Sequence, residues 1–379
     1  MNKPDSTRIK LTLKTTVSRR LVYATSAIAI ALIFGFGIFF FGNFNNNTKS
    51  FANNKKKEID KETFHTSSNS GKPNAIKINC TKTFIFLSWN NNSSADNDAS
   101  DGIIILRKQG LICDDQSIDD LEKNPSSLNG WSVIYNGSSI SSFNDKNIAV
   151  GSYTYLIYEK HHSSKYTNAK DAARALVIYG KDIVEKVNAD INLDGLFIDE
   201  ESRLSFAENH VATFNKFAEV NIKGTVSISS QLNNDANVWV INPKAEFILN
   251  SSSNGKEVIP AASWKQGSTC VIKNISKLAP SGLNQKFENF IWNCASQLND
   301  IEIADGLTVN GNLEIKSTGN KVLMLNGTNI INGNITIGNT AIVSTKNKSS
   351  VALTGNTLQN INGVISFENV SFNNKEGFN

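Results

Sequence analysis

The chain has 379 residues, and its 38 lysines and arginines against 34 aspartates and glutamates give a formal net charge of +4. The first 20 residues hold six of the basic groups and one acid, which leaves 32 basic and 33 acidic groups for the remaining 359 residues. A nucleic-acid-binding protein needs a basic surface on its folded part. The balanced charge beyond residue 20 therefore argues against nucleic acid as a partner.

An uncharged run of 22 residues follows at residues 21–42. As a helix it would be about 33 Å long, enough to cross a hydrocarbon core of roughly 30 Å. Because the basic residues of segment 1–20 favour a cytoplasmic N-terminus, the sequence predicts a transmembrane helix or signal anchor with the body of the chain outside the cytoplasm. A cleaved signal peptide, with small residues at Ser50 and Ala52, is the alternative, although the apolar run exceeds a usual signal core.

Residues 43–75 are polar and charged and contain few branched apolar side chains. Such a segment cannot bury a core, so we expect a flexible linker. The lysine run 55–57 is predicted to be solvated rather than bound to lipid headgroups. His65, in the same segment, has no evident partner in the sequence.

From residue 76 onward the sequence changes to short β-branched and aromatic runs bounded by Asn, Ser, Asp or Gly, which are typical of β-strands. Their spacing predicts an antiparallel β-sandwich over residues 76–166. The first five runs are AIKINC, TFIFLSW, GIIILRK, WSVIYNG and GSYTYLIYEK. The stretch between Cys113 and Gly130 is predicted to be a short helix or a long loop.

Two aromatic residues in this region occupy positions that a known family uses for packing. Trp89 ends the second run, and Tyr153 lies in the stretch NGSSISSFNDKNIAVGSYTYLIYE. These features resemble fibronectin type III domains, in which a core tryptophan and a tyrosine corner lie at similar places. Val150 stands where the family usually has proline, and the gap from Gly151 to Tyr153 is one residue short. The resemblance covers roughly residues 74–166 and implies an immunoglobulin-like sandwich, with no catalytic residues.

The four cysteines lie two in each half of the predicted exported region, which suits an oxidising compartment. Pairing within each half would join Cys80 to Cys113 and Cys270 to Cys294, although four cysteines allow three connectivities and the sequence does not choose among them. A bridge that closes about 25 residues would contribute on the order of 3 kcal/mol. Four buried free thiols are the alternative. The sequence contains no Cys-x-x-Cys pair, which argues against a zinc knuckle or a thioredoxin-type site.

Residues 167–300 continue as short strand-like runs separated by Asn, Gly or Lys. The stretch KDAARALVIYGKDIVEKV has the Ala and Leu content of a helix, but the series from Val177 to Gly180 favours a strand and a turn. The region is therefore predicted to be β-structure, with the helix as the alternative for this one stretch.

Similar hexapeptides recur in the second half of the chain: KGTVSI at 223–228, NGNLEI at 310–315, NGNITI at 332–337 and NGVISF at 362–367. Gly or Asn at a corner accepts a left-handed backbone, and the alternating aliphatic residues that follow would point inward. Rungs of about 22 residues, stacked on each other, would bury their apolar faces jointly.

These repeats predict an all-β fold in which a right-handed parallel β-helix, or a flattened solenoid like it, occupies residues 167–379. Period-2 strands in an ordinary sandwich are the alternative. The expected inward ladder consists of Leu313, Ile315, Leu323, Leu325, Ile335 and Ile337.

The stretch over residues 260–300, SWKQGSTCVIKNIS…APSGLNQKFENFIWNCASQ followed by rungs, resembles a segment of large exported surface proteins of Bacteroidetes. Those proteins also tend to carry fibronectin-like modules and β-helical repeats, so the resemblance implies an exported surface protein with a role in adhesion. It supplies no catalytic residues. The C-terminal sorting domain of such proteins is missing here, and FNNKEGFN ends within a rung. We therefore expect a fragment of a longer product, with the solenoid truncated at its C-terminal end.

The segment DINLDGLFIDEE, residues 190–201, fits the twelve-residue calcium loop D-x-[DN]-x-[DN]-G-x5-E. Such a loop is held between two helices, and none is predicted on either side. Ile191 and Leu193 would also occupy positions that normally face solvent. The alternation favours two short strands joined at Asp194 and Gly195, and calcium-dependent adhesion is kept as an alternative.

No catalytic, cofactor-binding or metal-binding residue is predicted. The acidic stretch 96–102 has its Gly one position late for a calcium loop, and the adjacent His161 and His162 are expected to be exposed. His210 has no ligand at helical spacing. The sequence contains no G-x-S-x-G elbow, H-E-x-x-H or P-loop lysine motif.

The sequence therefore predicts a non-catalytic, membrane-anchored or secreted scaffold of adhesin type, with extracellular glycans or surface proteins as partners and without a cofactor. The alternative is a β-helix carbohydrate-active enzyme, a lyase or a hydrolase. That alternative requires several carboxylates, or a carboxylate with Arg or Lys, gathered on one face of the rungs. The best-defined rungs contain few acids, and Glu314 stands alone between Asp305 and Glu368.

Overall fold

The computed structural model describes residues 73–91, 102–113, 130–160, 172–236, 238–252, 257–345 and 349–378. The predicted segments 1–20 and 21–42, almost all of linker 43–75, the stretch between Cys113 and Gly130, and the pair His161 and His162 lie outside these residues. Regular structure in the described part consists of β-strands. None of its elements is a helix long and apolar enough to cross a membrane.

Seven antiparallel strands form the N-terminal part; the alternating runs predicted its β-structure, but the seventh strand lies beyond the predicted boundary at residue 166, in the region assigned to the solenoid. They are β1 Asn74–Cys80, β2 Phe84–Asn90, β3 Gly102–Gln109, β4 Ser132–Gly137, β5 Ser142–Lys146, β6 Gly151–Lys160 and β7 Ala173–Tyr179. One sheet has the order β1-β2-β5, and the other has β4-β3-β6-β7 at one end of a longer sheet. Their facing apolar side chains, among them Ile85, Leu87, Trp89 and Ile105, make a common core.

Buried polar contacts tie the two sheets of this sandwich together. Asp145, on β5, is 5% exposed and accepts hydrogen bonds from the Arg107 guanidinium at 2.8 Å and from the Tyr155 hydroxyl at 2.8 Å. The Tyr153 hydroxyl donates to the carbonyl oxygen of Ala149 at 2.7 Å. A buried carboxylate needs such partners because its desolvation is costly.

The remaining strands pair in parallel and form a β-solenoid of about nine turns. Its first face is a row of parallel strands in chain order, which contradicts the alternative of an ordinary sandwich. The strands are β8 Val184–Val187, β10 Arg203–Phe206, β12 Thr225–Ile228, β15 Glu246–Asn250, β17 Thr269–Lys273, β19 Asn289–Asn293, β22 Leu313–Leu325, β24 Ile335–Ser344 and β26 Ile361–Asn362.

Further parallel strands complete the other faces of the rungs. The earlier rungs contribute β9 Ile191–Ile198, β11 Val211–Ile222, β13 Gln231–Asn234, β14 Val238–Ile241 and β16 Ala262–Trp264. The later rungs contribute β18 Lys286–Phe287, β20 Ile301–Ile303, β21 Thr308–Val309, β23 Thr328–Ile331, β25 Ser350–Leu353, β27 Ile365–Ser366 and β28 Asn369–Phe372. The long strands β9 and β11 each extend over two faces, because a bulge between Phe214 and Glu219 in β11 turns the chain at a corner.

The predicted inward ladder is confirmed. Its six residues are each at most 5% exposed, and the register places Leu313 beside Ile335 and Ile315 beside Ile337. Aromatic rings continue the core through the middle rungs, with neighbouring centroids 4.7–6.2 Å apart. The rings belong to Phe206, Phe214, Trp239, Phe247, Trp264, Phe287 and Phe290.

The repeated glycines serve close stacking rather than the left-handed backbone predicted for them. A Cβ at Gly333 would lie 2.3 Å from the Gly311 carbonyl oxygen, and a Cβ at Gly224 would lie 2.2 Å from that of Ser202. None of these three corner glycines has a positive φ. The hexapeptide at 362–367 is not a fourth copy, because its Asn362 pairs with Thr336 within a strand.

The asparagines that follow Gly311 and Gly333 explain the rest of the NGN repeat. The backbone N–H of Asn312 donates to the Asn289 side-chain oxygen at 3.0 Å, and that of Asn334 donates to the Asn312 side chain at 2.9 Å. The N–H of Asn360 continues the ladder onto Asn334 at 2.9 Å. Each amide therefore satisfies a backbone donor of the next rung at a corner where strand pairing ends.

The sandwich and the solenoid share one sheet. Strand β7 pairs antiparallel with β6 and parallel with β9, so residues 172–187 of this stretch form a strand, a turn and the strand β8, and not a helix. At this junction a Cβ at Gly195 would lie 2.8 Å from the Ile76 carbonyl oxygen, and Lys77 contacts Glu219 at 3.0 Å. Phe197, from the solenoid, is buried in the sandwich core. The two parts are therefore joined by backbone pairing and side-chain packing.

Candidate binding cleft

The corners between the first and second faces of the solenoid differ in length from rung to rung. Four residues, 207–210, separate β10 from β11, whereas only residues 229–230 separate β12 from β13. After β15 the chain takes residues 251–257 before Val258 bridges to Ser281 on the second face. Because β10, β12 and β15 are neighbours in that order, a short corner lies between two longer ones.

A cavity of about 320 Å³ occupies the space between these longer corners, and we call it the corner cleft. One wall comes from the 207–210 corner, the floor from Ser229, Ser230 and Gln231, and the other wall from residues 251–252 and 257–258. The polar groups that line it include Glu208, Asn209, His210, Ser230, Gln231 and Glu257. Its chemistry is therefore that of hydroxyls, amides, carboxylates and an imidazole.

Hydrogen bonds from the neighbouring rungs hold the first wall. The Ala207 N–H donates to the Val187 carbonyl at 2.9 Å, and the His210 carbonyl accepts from Gln231 N–H at 3.0 Å. Asp190 accepts from the Val211 N–H at 2.8 Å, and its carboxylate lies 3.5 Å from Nδ1 of His210. The Asp190 carboxylate thus lies beside the imidazole that lines the cleft.

The floor contains a buried hydroxyl without a hydrogen-bond partner. Ser230 is 8% exposed, and among the described residues its Oγ has no partner. The Ser229 N–H donates to the Phe206 carbonyl at 3.0 Å, which fixes the short corner beneath the cleft. A buried polar group left unsatisfied costs about 1–3 kcal/mol. The Ser230 Oγ has almost no accessible surface, so this cost belongs to the packing beneath the floor.

The second wall has an acidic side chain that is largely withdrawn from solvent. Glu257 is 6% exposed and accepts a hydrogen bond from the Ser251 hydroxyl at 3.2 Å. Its carbonyl accepts from the Ser281 N–H at 3.0 Å, so the next rung holds its backbone. The walls therefore each contribute one carboxylate, Glu208 from the first and Glu257 from the second.

Two further cavities extend the corner cleft along the solenoid. One of about 540 Å³ shares Glu208, His210 and Ser229 with it and reaches Lys186 on the first face. Another of about 350 Å³, on the second face, includes Arg174, Asp190, Asn192 and Thr213. The first of these adjoins the corner cleft through the shared residues, and the second shares only Val211 with it.

The structure brings together some of the residues that the sequence singled out. Asp190, the first residue of the calcium-loop match, meets His210, which had no partner in the sequence. Glu208 and Glu257 were missed, because nothing in their local sequence marks them. The one signal for them is indirect: the spacing between strand runs, hence the corner length, varies along the solenoid.

The calcium-loop match at residues 190–201 is not a loop. Residues 191–198 form strand β9, and its pairing with β11 falls into two blocks, 191–193 and 195–198, which meet at the predicted junction of Asp194 and Gly195. Asp194 is buried and accepts from the Arg174 N–H at 2.9 Å, and Glu201 contacts Lys181 at 2.8 Å. An extended chain spreads these oxygens over roughly 3.3 Å per residue instead of around one ion. In the described part of the chain no group of three or more His, Cys, Asp or Glu side chains converges on a metal position.

Neither predicted disulfide is formed in the structure. Cys80 packs against the sandwich core and Cys113 against the solenoid core. Cys270 is in register with Phe290, and Cys294 lies four residues further along, about 13 Å at a strand's rise. Bridged cysteines need Cα atoms within roughly 7 Å. Burial raises the pKa of the Cys294 thiol to about 12, which keeps it protonated and unreactive.

The fold defines the class of protein: a parallel β-solenoid joined to an antiparallel sandwich. No family model and no curated protein matches the chain. Similar solved structures include pectate lyase Pel3 from Pectobacterium carotovorum, 11% identical over 78% of this chain and 85% of that one, at a TM-score of 0.20. Pectate lyase PelI from Erwinia chrysanthemi, in complex with tetragalacturonic acid, is 11% identical over 77% and 87%, at 0.18.

The twitchin kinase region from C. elegans is also similar, with 14% identity and a TM-score of 0.20. The match covers 31% of this chain, which spans 21% of the twitchin structure. The solenoid assignment itself follows from the parallel strand register described above.

Proposed function

We propose that this chain is an exported surface protein, anchored by residues 21–42, whose solenoid binds a glycan in the corner cleft. The observation that carries the proposal is the corner cleft itself, whose lining includes the polar side chains of Asn209, His210 and Gln231. Sugars present many hydroxyls, and their recognition requires fixed donors and acceptors. Stacked strands about 4.8 Å apart hold such groups with little loss of conformational entropy on binding.

The N-terminal sandwich is, in this proposal, a fibronectin type III-like spacer. Its strand order β1-β2-β5 and β4-β3-β6-β7 and the hydrogen bond from Tyr153 to Ala149 support that relation. Continuous pairing from β6 through β7 to β9 would hold the cleft at a constant orientation to the spacer. A glycan-binding rung presented in this way serves adhesion to a surface polysaccharide.

Binding of oligosaccharides by the full chain, in detergent, tests the proposal. We expect a glycan array to yield ligands, and expect His210→Ala and Gln231→Ala each to weaken binding about tenfold, the effect of one lost polar contact of about 1.4 kcal/mol. Thr225→Ala is the matched control, because Thr225 faces outward on β12 and lies outside the cleft. Binding that is the same in all three variants would place the ligand elsewhere, and an array without ligands would refute glycan binding.

A second candidate function is cleavage of the bound glycan. Carboxylates on opposite walls, Glu208 and Glu257, with the imidazole of His210 between the cavities, are groups that can exchange protons with a substrate. The Asp190 carboxylate at 3.5 Å orients that imidazole. This arrangement supports the carbohydrate-active enzyme that the sequence left as an alternative.

Incubation of the chain with each bound glycan separates the two functions. A hydrolase would release new reducing ends, and a lyase would release unsaturated products that absorb in the ultraviolet. We expect either activity to fall by at least a hundredfold in Glu208→Gln or Glu257→Gln, since proton transfer contributes about 10²–10⁴-fold. Tight binding without any product would leave a binding scaffold and refute catalysis.

A further inference from the structure

A second polar cavity lies beside the corner cleft, on the first face of the solenoid. Its volume is about 540 Å³, and its lining includes Lys186, Ser205, Ser227 and Asn250. We call this cavity the first-face trough. Glu208, His210 and Ser229 line both the trough and the corner cleft. The two cavities are therefore continuous at these residues, and one ligand can occupy both.

The floor of the first-face trough is a row of side chains from successive rungs. Strand pairing places Lys186 beside Ser205, and Ser205 beside Ser227. Ser205 and Ser227 each lie between two buried residues of their strands, so their hydroxyls face outward. Neighbouring strands are about 4.8 Å apart, which is close to the length of one sugar residue in an extended chain. The row therefore offers one polar group for each sugar residue that crosses the rungs.

A second polar row runs beside the floor and is held in a fixed orientation. The Asn250 side-chain amide donates to the Ser229 hydroxyl at 3.3 Å, and its oxygen accepts from the Asn274 amide at 2.7 Å. Groups that are already ordered lose little conformational entropy when a ligand binds. Because Ser229 lines both cavities, this row connects the trough to the corner cleft.

From this arrangement, and on the basis of the proposed glycan binding, we infer that the first-face trough and the corner cleft bind consecutive residues of one extended glycan chain. The trough reaches from Lys186 on β8 to Asn250 on β15, with β10 and β12 between them in the sheet. At about 4.8 Å per strand this distance is about 14 Å, the length of about three sugar residues. The site therefore takes an internal stretch of a polysaccharide, whereas a single terminal sugar would fill the cleft alone.

Titration of the full chain in detergent with oligosaccharides of two lengths tests the inference. The probes are linear oligomers of glucose, mannose, galactose, N-acetylglucosamine and galacturonic acid, each as the disaccharide and the hexasaccharide. For every sugar that binds, we expect the hexasaccharide to bind at least tenfold more tightly, because only the longer oligomer reaches both cavities. Equal affinities of the two lengths would overturn the inference and leave glycan binding standing. Absence of binding at both lengths would also overturn it, and the broader glycan array then decides whether glycan binding itself stands.

A substitution that fills the trough localises the effect. Ser227 lines the trough and not the corner cleft, and an outward strand position accepts tyrosine. We expect Ser227→Tyr to weaken binding of the hexasaccharide at least tenfold and to leave the disaccharide unchanged, which also shows that the variant folds. Thr225→Tyr, on the same strand but outside both cavities, is the matched control and should leave both affinities unchanged. Unchanged binding of the hexasaccharide by Ser227→Tyr, or an equal loss at both lengths, would overturn the inference.

Discussion

Gly333→Ala is expected to lower the free energy of unfolding of the solenoid by about 3 kcal/mol or more. The new Cβ would lie 2.3 Å from the Gly311 carbonyl oxygen and 2.4 Å from its carbonyl carbon. Both atoms belong to the backbone, so no side-chain rotation relieves the contact, and the two rungs must separate. Urea denaturation of the purified chain, followed by circular dichroism, measures the change.

Gly151→Ala is the control for this prediction. Gly151 begins β6, and a Cβ there would meet nothing closer than 3.5 Å. Its substitution is expected to change stability by less than about 1 kcal/mol, as at an unstrained site. Equal stability of the two variants would show that the rungs do not stack at the distance described.

Trp239→Ala is expected to have the largest effect of any single side-chain truncation in the solenoid core. Trp239 is fully buried, its ring lies 4.7 Å from that of Phe214 and 5.9 Å from that of Phe247, and its indole N–H donates to Asn234 at 2.8 Å. Removal of such a ring leaves a cavity and costs about 3–5 kcal/mol.

Hydrogen exchange identifies the strands that Trp239→Ala destabilises. Each rung contacts only its neighbours, so we expect faster exchange in β11, β14 and β15 and little change in β23 and β25. Trp239→Phe keeps an aromatic ring and should recover more than half of the loss. Uniformly faster exchange across all rungs would contradict a quasi-one-dimensional core.

Much of the fold is predictable from local pattern. The alternation in NGNLEI and NGNITI identifies inward residues such as Leu313 and Ile335, because a strand places every second side chain on the same face. The 22-residue interval between these copies equals the interval between Asn312 and Asn334, which are joined by a hydrogen bond. The 22-residue repeat in the sequence therefore corresponds to one turn of the solenoid.

Two motif matches were misleading, because the residues that carry them also take part in strand pairing. The calcium match at 190–201 depended on residue types at fixed intervals, yet Ile191, Leu193 and Phe197 are buried, and strand pairing of β9 determines the backbone there. NGVISF failed because its register differs: Asn362 pairs with Thr336, and Gly363 has a φ of 105°, whereas Gly311 and Gly333 have no positive φ. Both segments match the motif in residue type but differ from it in backbone conformation and packing.

The corner cleft was beyond prediction from the sequence. Its existence depends on the difference in length between residues 207–210, 229–230 and 251–257, and each corner taken alone is an ordinary polar turn. Glu208 and Glu257 are 49 positions apart in the chain, and only the stacking of rungs brings both to one cavity. Stacking is a long-range property that no local pattern encodes.

A crystal structure of the full chain with a bound oligosaccharide tests the central claim most directly. We predict a sugar between the 207–210 corner and residues 251–252 and 257–258, with ring hydroxyls within hydrogen-bonding distance of His210 or Gln231. A sugar bound to the sandwich or to the rungs beyond β19, with the corner cleft holding only solvent, would contradict it.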